Sequence, residues 1–238
     1  MQQAMQFTRL AWNSPPVARP TLLPESEIHV WRAGVSHSST HVSKLTNILA
    51  ADEFDRAKRY RFETDRHRFI IGRGLLRHLL SHYLKISPRD LKFDYGPFGK
   101  PSLDVGLLDF NVAHSKDMIV LAFSARCKVG IDIESMDAEV EVLKLAPEFC
   151  SPTELENLSI LPNAERQQAF FQLWTRKEAF LKATGEGLSR SPVDLNIASD
   201  GRWQILDLDV APNYAASLVY ERNNAAISGW NANELQIA

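Results

Sequence analysis

The stretch Val129–Ser135 reads VGIDIES and alternates between two kinds of residue. Three of the odd-numbered positions are β-branched, whereas the even-numbered positions carry Gly130, Asp132 and Glu134. Because successive side chains of a strand point to opposite faces, this alternation predicts a strand with one buried face. The other face then presents two carboxylates about 7 Å apart, at a rise of about 3.3 Å per residue. Gly130 on that face leaves room for a neighbouring group to approach the backbone.

Downstream, the segment Phe170–Leu188 reads FFQLWTRKEAFLKATGEGL and predicts an amphipathic helix that ends in a glycine-flanked turn. Glu178 and Lys182 lie one helical turn apart, so their side chains share a face. Trp174 lies one turn before Glu178. The ordinary interpretation is an exposed ion pair, worth about 0.3 kcal/mol, beside a tryptophan that belongs to the core.

The carboxylates of Asp132 and Glu134 would repel each other unless a cation lay near them. A hard divalent ion such as Mg²⁺ takes oxygen ligands and usually retains some water. Glu178 is the best candidate for a third carboxylate ligand. Taken alone, an Asp-x-Glu motif more often marks a solvated strand edge. The prediction of a metal site therefore depends on the three carboxylates occurring together.

Basic residues are concentrated between Arg56 and Arg77, where 8 of the 27 lysines and arginines fall within 22 positions. Arginine predominates, which favours forked contacts with phosphate or carboxylate groups. We expect about half of these side chains to pair with acidic residues or to face water instead. Lys100 follows in the glycine-punctuated loop GPFGKPSL, whose backbone amides could help to bind an anion. The chain contains neither a Walker A motif nor G-x-G-x-x-G, so the sequence does not support nucleoside triphosphate or dinucleotide folds.

Both halves of the chain show the same order of predicted elements: a strand, a helical segment, a long helix and then strands. Residues 1–27 contain four prolines and are predicted to form an extended arm with little regular structure. The two halves are assigned to residues 28–125 and 126–238. This order predicts an α+β fold of two pseudo-duplicated halves, with the active site in the cleft between them.

Hydrophobic periodicity and turn residues place the individual elements. In the first half we predict a strand at 27–33, one helix at 45–62, a long helix at 64–86, a short strand after residue 88, and a strand pair at 109–115 and 118–125. In the second half we predict a strand at 128–135, a helical stretch at 138–158, the helix after residue 170, and strands at 194–198, 203–210 and 215–221. His114 lies where the strand 109–115 ends, a position at which a lone histidine is more often structural than catalytic.

The composition is that of an ordinary globular protein, with 238 residues, 45% of them hydrophobic and 24% charged. The formal net charge of −2 argues against nucleic acid or an anionic membrane as a partner. Cys127 and Cys150 are too few for a disulfide framework, which favours a reducing compartment. No secretory leader is recognisable, and no stretch approaches the roughly 20 apolar residues of a membrane span. We therefore expect a cytoplasmic protein.

Five segments, taken together and in this order, resemble the signatures of the Sfp-type 4′-phosphopantetheinyl transferases: GRGLLR, GKPSL, FNVAHS, VGIDIES and WTRKEAFLKATGEGL. The resemblance runs from about Ile28 to Tyr220, and the W…KEA form is typical of one of two large subgroups. It implies a monomer of two similar α+β halves that binds coenzyme A together with Mg²⁺, or Mn²⁺ as the alternative ion. The implied reaction moves the phosphopantetheine arm onto a serine of an acyl- or peptidyl-carrier protein and releases 3′,5′-ADP.

By motif position, the resemblance implies that Asp132, Glu134 and Glu178 are the metal ligands. Glu178 and Lys182 are the implied catalytic residues, with Lys182 in contact with the phosphates of coenzyme A. Four residues fall where the family binds the phosphates and nucleotide of the coenzyme: Arg56, Lys100, Asn111 and His114. Glu154 resembles a further acidic position of some members. Ala113 departs from the family because many members have serine there, so one hydroxyl contact to the coenzyme is missing.

Two other functions compete with this interpretation. A Mg²⁺-dependent nuclease would use similar carboxylates and arginines, but the net charge and the lack of interleaved aromatic and basic residues argue against it. A non-catalytic module that binds carrier proteins would have no need of an intact acidic trio and Lys182. The sequence does not indicate which carrier protein is served.

Overall fold

The computed structural model describes residues 10–15, 23–35, 39–103, 106, 108–137, 140–187, 191–195, 201–221 and 224–237. Within these ranges the chain forms a five-stranded sheet, a three-stranded sheet and a two-stranded hairpin, combined with α-helices. The predicted mixed α+β class is confirmed. None of the helices in these ranges has an apolar stretch long enough to cross a lipid bilayer.

The first sheet has the strand order β1-β10-β2-β6-β5. Its strands are β1 (Trp12–Asn13), β2 (Glu27–Gly34), β5 (Asp109–Ser115), β6 (Met118–Ser124) and β10 (Ala226–Asn231). Strands β2, β6 and β5 pair antiparallel, and β5 joins β6 through the predicted turn at Lys116–Asp117. A separate hairpin is formed by β3 (Phe93–Tyr95) and β4 (Pro101–Leu103).

The long helix α3 (Glu63–Leu84) packs on the first sheet. Its fully buried residues Ile71, Leu75 and Leu79 recur every fourth position, so they form one helical face. That face shares a core with Trp31 on β2 and other apolar residues of the sheet. Burying a leucine or isoleucine side chain stabilises a fold by about 1.5–3 kcal/mol, so this contact anchors the first half.

The second sheet has the order β7-β9-β8 and is antiparallel throughout. It consists of β7 (Val129–Ser135), β8 (Trp203–Asp207) and β9 (Tyr214–Glu221). Helix α6 (Asn163–Thr184) lies across it, preceded by the shorter helices α4 (Val142–Leu145) and α5 (Pro152–Ser159). A Cβ added at Gly130 would lie 2.0 Å from the carbonyl oxygen of Ala179, so the backbone of α6 touches the backbone of β7. The group that approaches Gly130 is therefore this helix.

The two larger sheets meet where β5 lies beside β7. Side chains on β5 accept hydrogen bonds from backbone N–H groups of β7, at 3.0, 2.8 and 3.0 Å respectively: Asp109 with Val129, Asn111 with Ile131, and Ser115 with Ser135. The acceptors occupy alternate positions of β5, so they share one side of the strand. Side chains thus provide the hydrogen-bond partners that a neighbouring strand backbone would otherwise supply.

The single helix predicted at 45–62 is wrong, because the chain forms two helices there. These are α1 (Ser39–Asn47) and α2 (Ala51–Lys58). Between them Ala50 is extended, with φ −72° and ψ 162°, and its N–H donates to the Glu53 carboxylate at 3.1 Å. The sequence did not indicate this break, because Ala50 lacks the side-chain oxygen of the Ser, Thr, Asp or Asn that usually begins a helix.

The chain termini add strands that the sequence analysis did not predict. Strand β1 gives the proposed arm a short regular element, and it pairs parallel with β10, which in turn pairs parallel with β2. Strand β10 follows the second sheet in sequence but belongs to the first sheet. The division into residues 28–125 and 126–238 stays a proposal, and β10 does not follow it. Of the strand predicted at 194–198, residues 196–198 lie outside the described residues, and Pro192–Asp194 forms a 3₁₀ turn.

We predict that Gly130→Ala destabilises the protein. The added methyl would overlap the backbone of α6, which cannot move without displacing the whole helix. Overpacking of this kind costs about 1–3 kcal/mol, and we expect the upper end because the contact involves backbone atoms. Urea denaturation followed by circular dichroism measures the loss, and an unchanged unfolding midpoint would contradict the close approach of helix and strand.

Gly72→Ala is the matched control. Gly72 lies inside α3, and a Cβ there would meet its nearest neighbour, a methyl group of Ile119, at an ordinary 3.7 Å. Because alanine is favoured over glycine within a helix by about 1 kcal/mol, this variant should be as stable as the wild type or more so.

Candidate active site

A cleft of about 440 Å³ is lined by the β3–β4 hairpin, by residues at the starts of β5 and β7, and by the end of α6. One wall comes from the first half and includes Lys100, Asp109 and Phe110, and the other comes from the last turns of α6 with Glu178 and Lys182. The β3–β4 hairpin lies at the cleft through residues 96–102. The cleft brings basic, acidic and apolar groups together, and its assignment as the active site stays a prediction.

Asp132 is the most buried acidic group of the site, with 4% of its surface exposed. Because α6 rests on Gly130, its last turn reaches Asp132, and the Lys182 ammonium donates to Asp132 Oδ1 at 2.5 Å. Asp132 Oδ2 is also buried and has no hydrogen-bond partner among the described residues. Burial raises the pKa of Asp132, and the contact with Lys182 opposes that rise.

Glu134 and Glu178 are half-buried, and both lie near enough to Asp132 to be repelled by its charge. Burial raises the pKa of both carboxyl groups, and repulsion from Asp132 raises each further. Glu178 also repels Glu134, whereas a hydrogen bond from the Ser115 hydroxyl, at 3.0 Å, stabilises the charge of Glu134. The three predicted metal ligands are therefore electrostatically coupled across the contact between β7 and α6.

The fit of this site to a cation follows from its chemistry. Three mutually repelling carboxylates and a buried oxygen without a partner suit a hard divalent ion that prefers oxygen ligands. Within the described part of the chain, no three acidic, histidine or cysteine side chains stand close enough to ligate one ion as they are placed. Lys182 instead neutralises part of the negative charge through Asp132.

Lys100 and Lys128 converge on the carboxylate of Asp109. The Lys100 ammonium donates to Asp109 Oδ1 at 3.1 Å and to the Val129 carbonyl at 3.0 Å. The Lys128 ammonium donates to Asp109 Oδ2 at 2.9 Å. The sequence identified Lys100 but not Asp109 or Lys128. These two residues lie at the starts of β5 and β7, and a separation of 19 residues does not indicate that the two strands lie side by side.

His114 and Asn111 were both predicted to bind the coenzyme, and their surroundings differ. His114 lies at the end of β5, and its pKa is lowered by partial burial of the ring and then by the nearby charges of Arg68 and Lys182. Asn111 is 4% exposed and its side-chain oxygen accepts from the Ile131 N–H at 2.8 Å. Asn111 thus joins β5 to β7, while coenzyme binding by either residue stays a prediction.

Arg56 is exposed on α2, with its guanidinium 5.0 Å from the ring centre of Phe69. It is not among the residues that line the cleft. Its predicted contact with the coenzyme therefore stays a prediction.

Other members of the basic stretch are structural, as the sequence analysis expected for about half of them. Arg77 is 2% exposed and forms a two-pronged ion pair with buried Glu53, with N–O distances of 2.5 and 2.9 Å. Arg73 stacks its guanidinium on Phe93, 4.9 Å from the ring centre. The Arg77–Glu53 ion pair links α3 to α2.

Glu154 has a structural role in the described contacts. It caps the start of α5, where its carboxylate accepts from the Ser151 N–H at 2.7 Å, and it pairs with the Lys177 ammonium at 2.6 Å. Lys177 is 2% exposed and also donates to the carbonyl groups of Phe149 and Pro192. A buried lysine next to Glu178 anchors α6 and was not recognised from the sequence, because its partners lie in distant loops.

Trp174 belongs to the core, as the ordinary interpretation of the helix predicted. Its ring stacks on Phe149 at a centroid distance of 4.1 Å and meets Phe170 edge-on at 5.6 Å. The tryptophan of the W…KEA segment therefore fixes the position of α6 through packing.

Comparisons with known proteins identify two family models that match the chain. A model of the 4′-phosphopantetheinyl transferase superfamily matches residues 128–228, and a model of the N-terminal region of 4′-phosphopantetheinyl transferases matches residues 31–126. Between them the two models span both sides of the cleft.

Individual relatives match over most of the chain. The 4′-phosphopantetheinyl transferase HetI of Nostoc sp. is 36% identical over 214 residues, which cover 83% of this chain and 89% of that protein. The 4′-phosphopantetheinyl transferase Sfp of Bacillus subtilis is 30% identical over 166 residues, covering 68% and 72% respectively. The crystal structure of Thermotoga maritima holo-[acyl-carrier-protein] synthase is similar over 40% of this chain and 63% of that chain, with a TM-score of 0.34 and 21% identity.

The sequence segments quoted above, the two family models and the aligned relatives lead to one assignment: the chain belongs to the Sfp-type 4′-phosphopantetheinyl transferases.

Proposed function

We propose that the chain transfers the 4′-phosphopantetheine arm of coenzyme A to a serine of an apo acyl- or peptidyl-carrier protein and releases 3′,5′-ADP. The observation that supports this proposal is that Glu178 and Lys182 line the cleft, that Lys182 pairs with Asp132, and that Glu134 lies near enough to be repelled by Asp132 and Glu178. The reaction breaks a diphosphate bond, so its main physical demand is the neutralisation of negative charge on phosphate oxygens. An ammonium group beside a cation-binding set of carboxylates meets that demand.

Asp132, Glu134 and Glu178 would hold a divalent cation, Mg²⁺ or Mn²⁺. When bound, such an ion would neutralise diphosphate charge and make the phosphorus more electrophilic. The orphaned Asp132 Oδ2 supports this assignment, since a buried carboxylate oxygen without a partner is costly. Ser115 would keep Glu134 oriented through its hydroxyl hydrogen bond.

Lys182 would neutralise the phosphate group that departs with 3′,5′-ADP. It lies one helical turn after Glu178, so both side chains can reach the same diphosphate. Its ammonium already lies at the acidic site through Asp132, which it would share with the coenzyme. Because an ammonium carries three N–H donors, one contact with Asp132 leaves capacity for phosphate oxygens.

Glu178 is suited to receive the proton of the attacking serine. Glu178 lines the cleft that the serine hydroxyl would enter, so its carboxylate, or a water bound to the metal, would accept that proton. The pKa of His114, lowered by desolvation and by Arg68 and Lys182, favours a neutral ring that can donate one hydrogen bond to a phosphate without adding charge. Lys100 would bind a further phosphate group at the opposite wall.

The carrier protein, the oligomeric state and the cellular compartment also belong to the proposed function. Carrier proteins are typically acidic, so a cleft lined by Lys100, Lys128 and Lys182 would favour their approach. We propose that the chain acts as a monomer in the cytoplasm. Cys127 and Cys150 are buried and form no disulfide among the described residues, which agrees with a reducing compartment.

Mass spectrometry tests the function directly. After incubation with coenzyme A and Mg²⁺, an apo-carrier protein should gain the mass of one phosphopantetheine group on its serine. A panel of carriers that all keep their apo mass would contradict the proposal, and cleavage of plasmid DNA under the same conditions would favour a nuclease instead.

We predict that Glu178→Gln lowers the rate of transfer by at least about 100-fold, because it removes a charged ligand and the proposed base at constant volume. Glu165→Gln, an exposed position on the same helix, is the matched control and should retain the wild-type rate. Initial rates with a fluorescent coenzyme A conjugate measure both variants. A fully active Glu178→Gln enzyme would remove this residue from the site.

We predict that Lys182→Met lowers kcat by about 100-fold, since the leaving phosphate loses its cationic partner. The same change leaves buried Asp132 without its ion pair, so the free energy of unfolding should also fall. Steady-state kinetics and urea denaturation on one preparation separate the two effects. An unchanged kcat would show that Lys182 has only a structural role.

Chelation should abolish transfer, and added Mg²⁺ or Mn²⁺ should restore it. The reason is that three carboxylates near the diphosphate repel it unless their charge is compensated. Dialysis against EDTA followed by metal titration provides the measurement. Undiminished transfer by metal-free enzyme would exclude a role for the acidic trio as ligands.

A further inference from the structure

Asp109 lies at the first-half wall of the cleft and makes three hydrogen bonds at once. Its Oδ1 accepts from the Lys100 ammonium at 3.1 Å and from the Val129 N–H at 3.0 Å, while its Oδ2 accepts from Lys128 at 2.9 Å. The side chain of Asp109 is 15% exposed, so these contacts are made largely away from solvent. Charge-assisted hydrogen bonds of this kind are stronger than neutral ones and fix the geometry of the cation.

Lys100 gains its orientation from this carboxylate and one backbone group. Its ammonium also donates to the Val129 carbonyl at 3.0 Å, so two of its three N–H donors have partners among the described residues. The remaining donor is available to a ligand in the cleft that Lys100 lines. Without Asp109, the half-buried ammonium would lose the anion that favours its charged form.

We propose that Asp109 is a positioning residue of the coenzyme site, which holds the Lys100 ammonium charged and oriented so that it can bind a phosphate group of coenzyme A. The inference rests on the proposed function, because it takes coenzyme A as the ligand of the cleft. Lys128 pairs with the second oxygen of Asp109. Lys100, Lys128 and Asp109 together therefore have a net charge of +1 beside the proposed ligand. Across the cleft, α6 adds Lys182 and Glu178.

The competing explanation is structural. Asp109 also accepts from the Val129 N–H, one of the three described bonds from backbone N–H groups of β7 to side chains of β5, so its loss could simply loosen this junction. The two explanations differ in what they require of Lys100. A positioning role acts through the lysine, whereas a role in the junction does not.

A double-mutant cycle separates these explanations, with the affinity for coenzyme A measured by isothermal titration calorimetry in Mg²⁺-containing buffer. We expect Asp109→Asn to weaken binding about five- to tenfold, in line with the loss of a charged hydrogen-bond partner. In a Lys100→Met background the same substitution should cost less than about twofold, because its target is gone. Equal losses in both backgrounds, or no loss in either, would overturn the proposal.

The pH dependence of binding gives a second readout that a loosened junction would not produce. Burial lowers the pKa of Lys100, and Asp109 opposes this through its charge and hydrogen bond, while Lys128 adds a smaller lowering effect. Removing the Asp109 charge lowers this pKa further, so Lys100 loses its proton at a lower pH. The affinity of Asp109→Asn should therefore begin to fall at a lower pH than the affinity of the wild type does. Parallel pH profiles would contradict the proposal.

Glu221→Gln is the matched control. The Glu221 carboxylate accepts from the Lys128 N–H at 3.0 Å, at the same end of β7, and is not among the cleft-lining residues. This variant should bind coenzyme A as the wild type does. Transfer to a carrier protein is assayed in parallel. A wild-type chain that binds coenzyme A without transferring its phosphopantetheine arm would refute the proposed function. The calorimetric cycle would still decide the role of Asp109 in that case.

Discussion

The direct contact between the backbones of α6 and β7 is the constraint on which the site depends. Only glycine at position 130 allows it, since a Cβ would lie 2.0 Å from the Ala179 carbonyl oxygen. Because the helix lies so close to the strand, its last turn brings Lys182 to Asp132 and places Glu178 beside them. A site assembled from two rigid elements is positioned more accurately than one built on loops, which suits a reaction accelerated mainly by charge and geometry.

Each wall of the cleft places its buried charged groups beside groups of opposite charge. On the α6 side, burial and mutual repulsion raise the pKa values of the acidic trio, and Lys182 offsets part of their charge. On the β5 side, Asp109 offsets the charges of Lys100 and Lys128. Each wall therefore holds a buried charge near its ligand by means of a counter-ion, and a diphosphate with a divalent cation would complement both.

Local pattern predicted most of the fold because periodicity is a local property. The alternation around Asp132 predicted β7, and the spacing of Glu178 and Lys182 predicted that they share a helical face. The structure contains both the strand and the helix. Contacts between residues distant in the chain could not be predicted in this way. The pairing of β10 with β2, the anchoring of Lys177 by Glu154 and the convergence on Asp109 each depend on tertiary packing. The resemblance to a family supplied ligand roles, but it could not reveal that Asn111 is occupied in joining two strands.

The most direct test of the account is a crystal structure of the chain with coenzyme A and Mn²⁺, in which anomalous scattering locates the metal. We expect a single strong anomalous peak for a Mn²⁺ ion ligated by oxygens of Asp132, Glu134 and Glu178. The diphosphate of coenzyme A should bind to the same ion and to Lys182. A metal peak elsewhere, or a diphosphate bound outside the cleft between β5 and α6, would contradict the account.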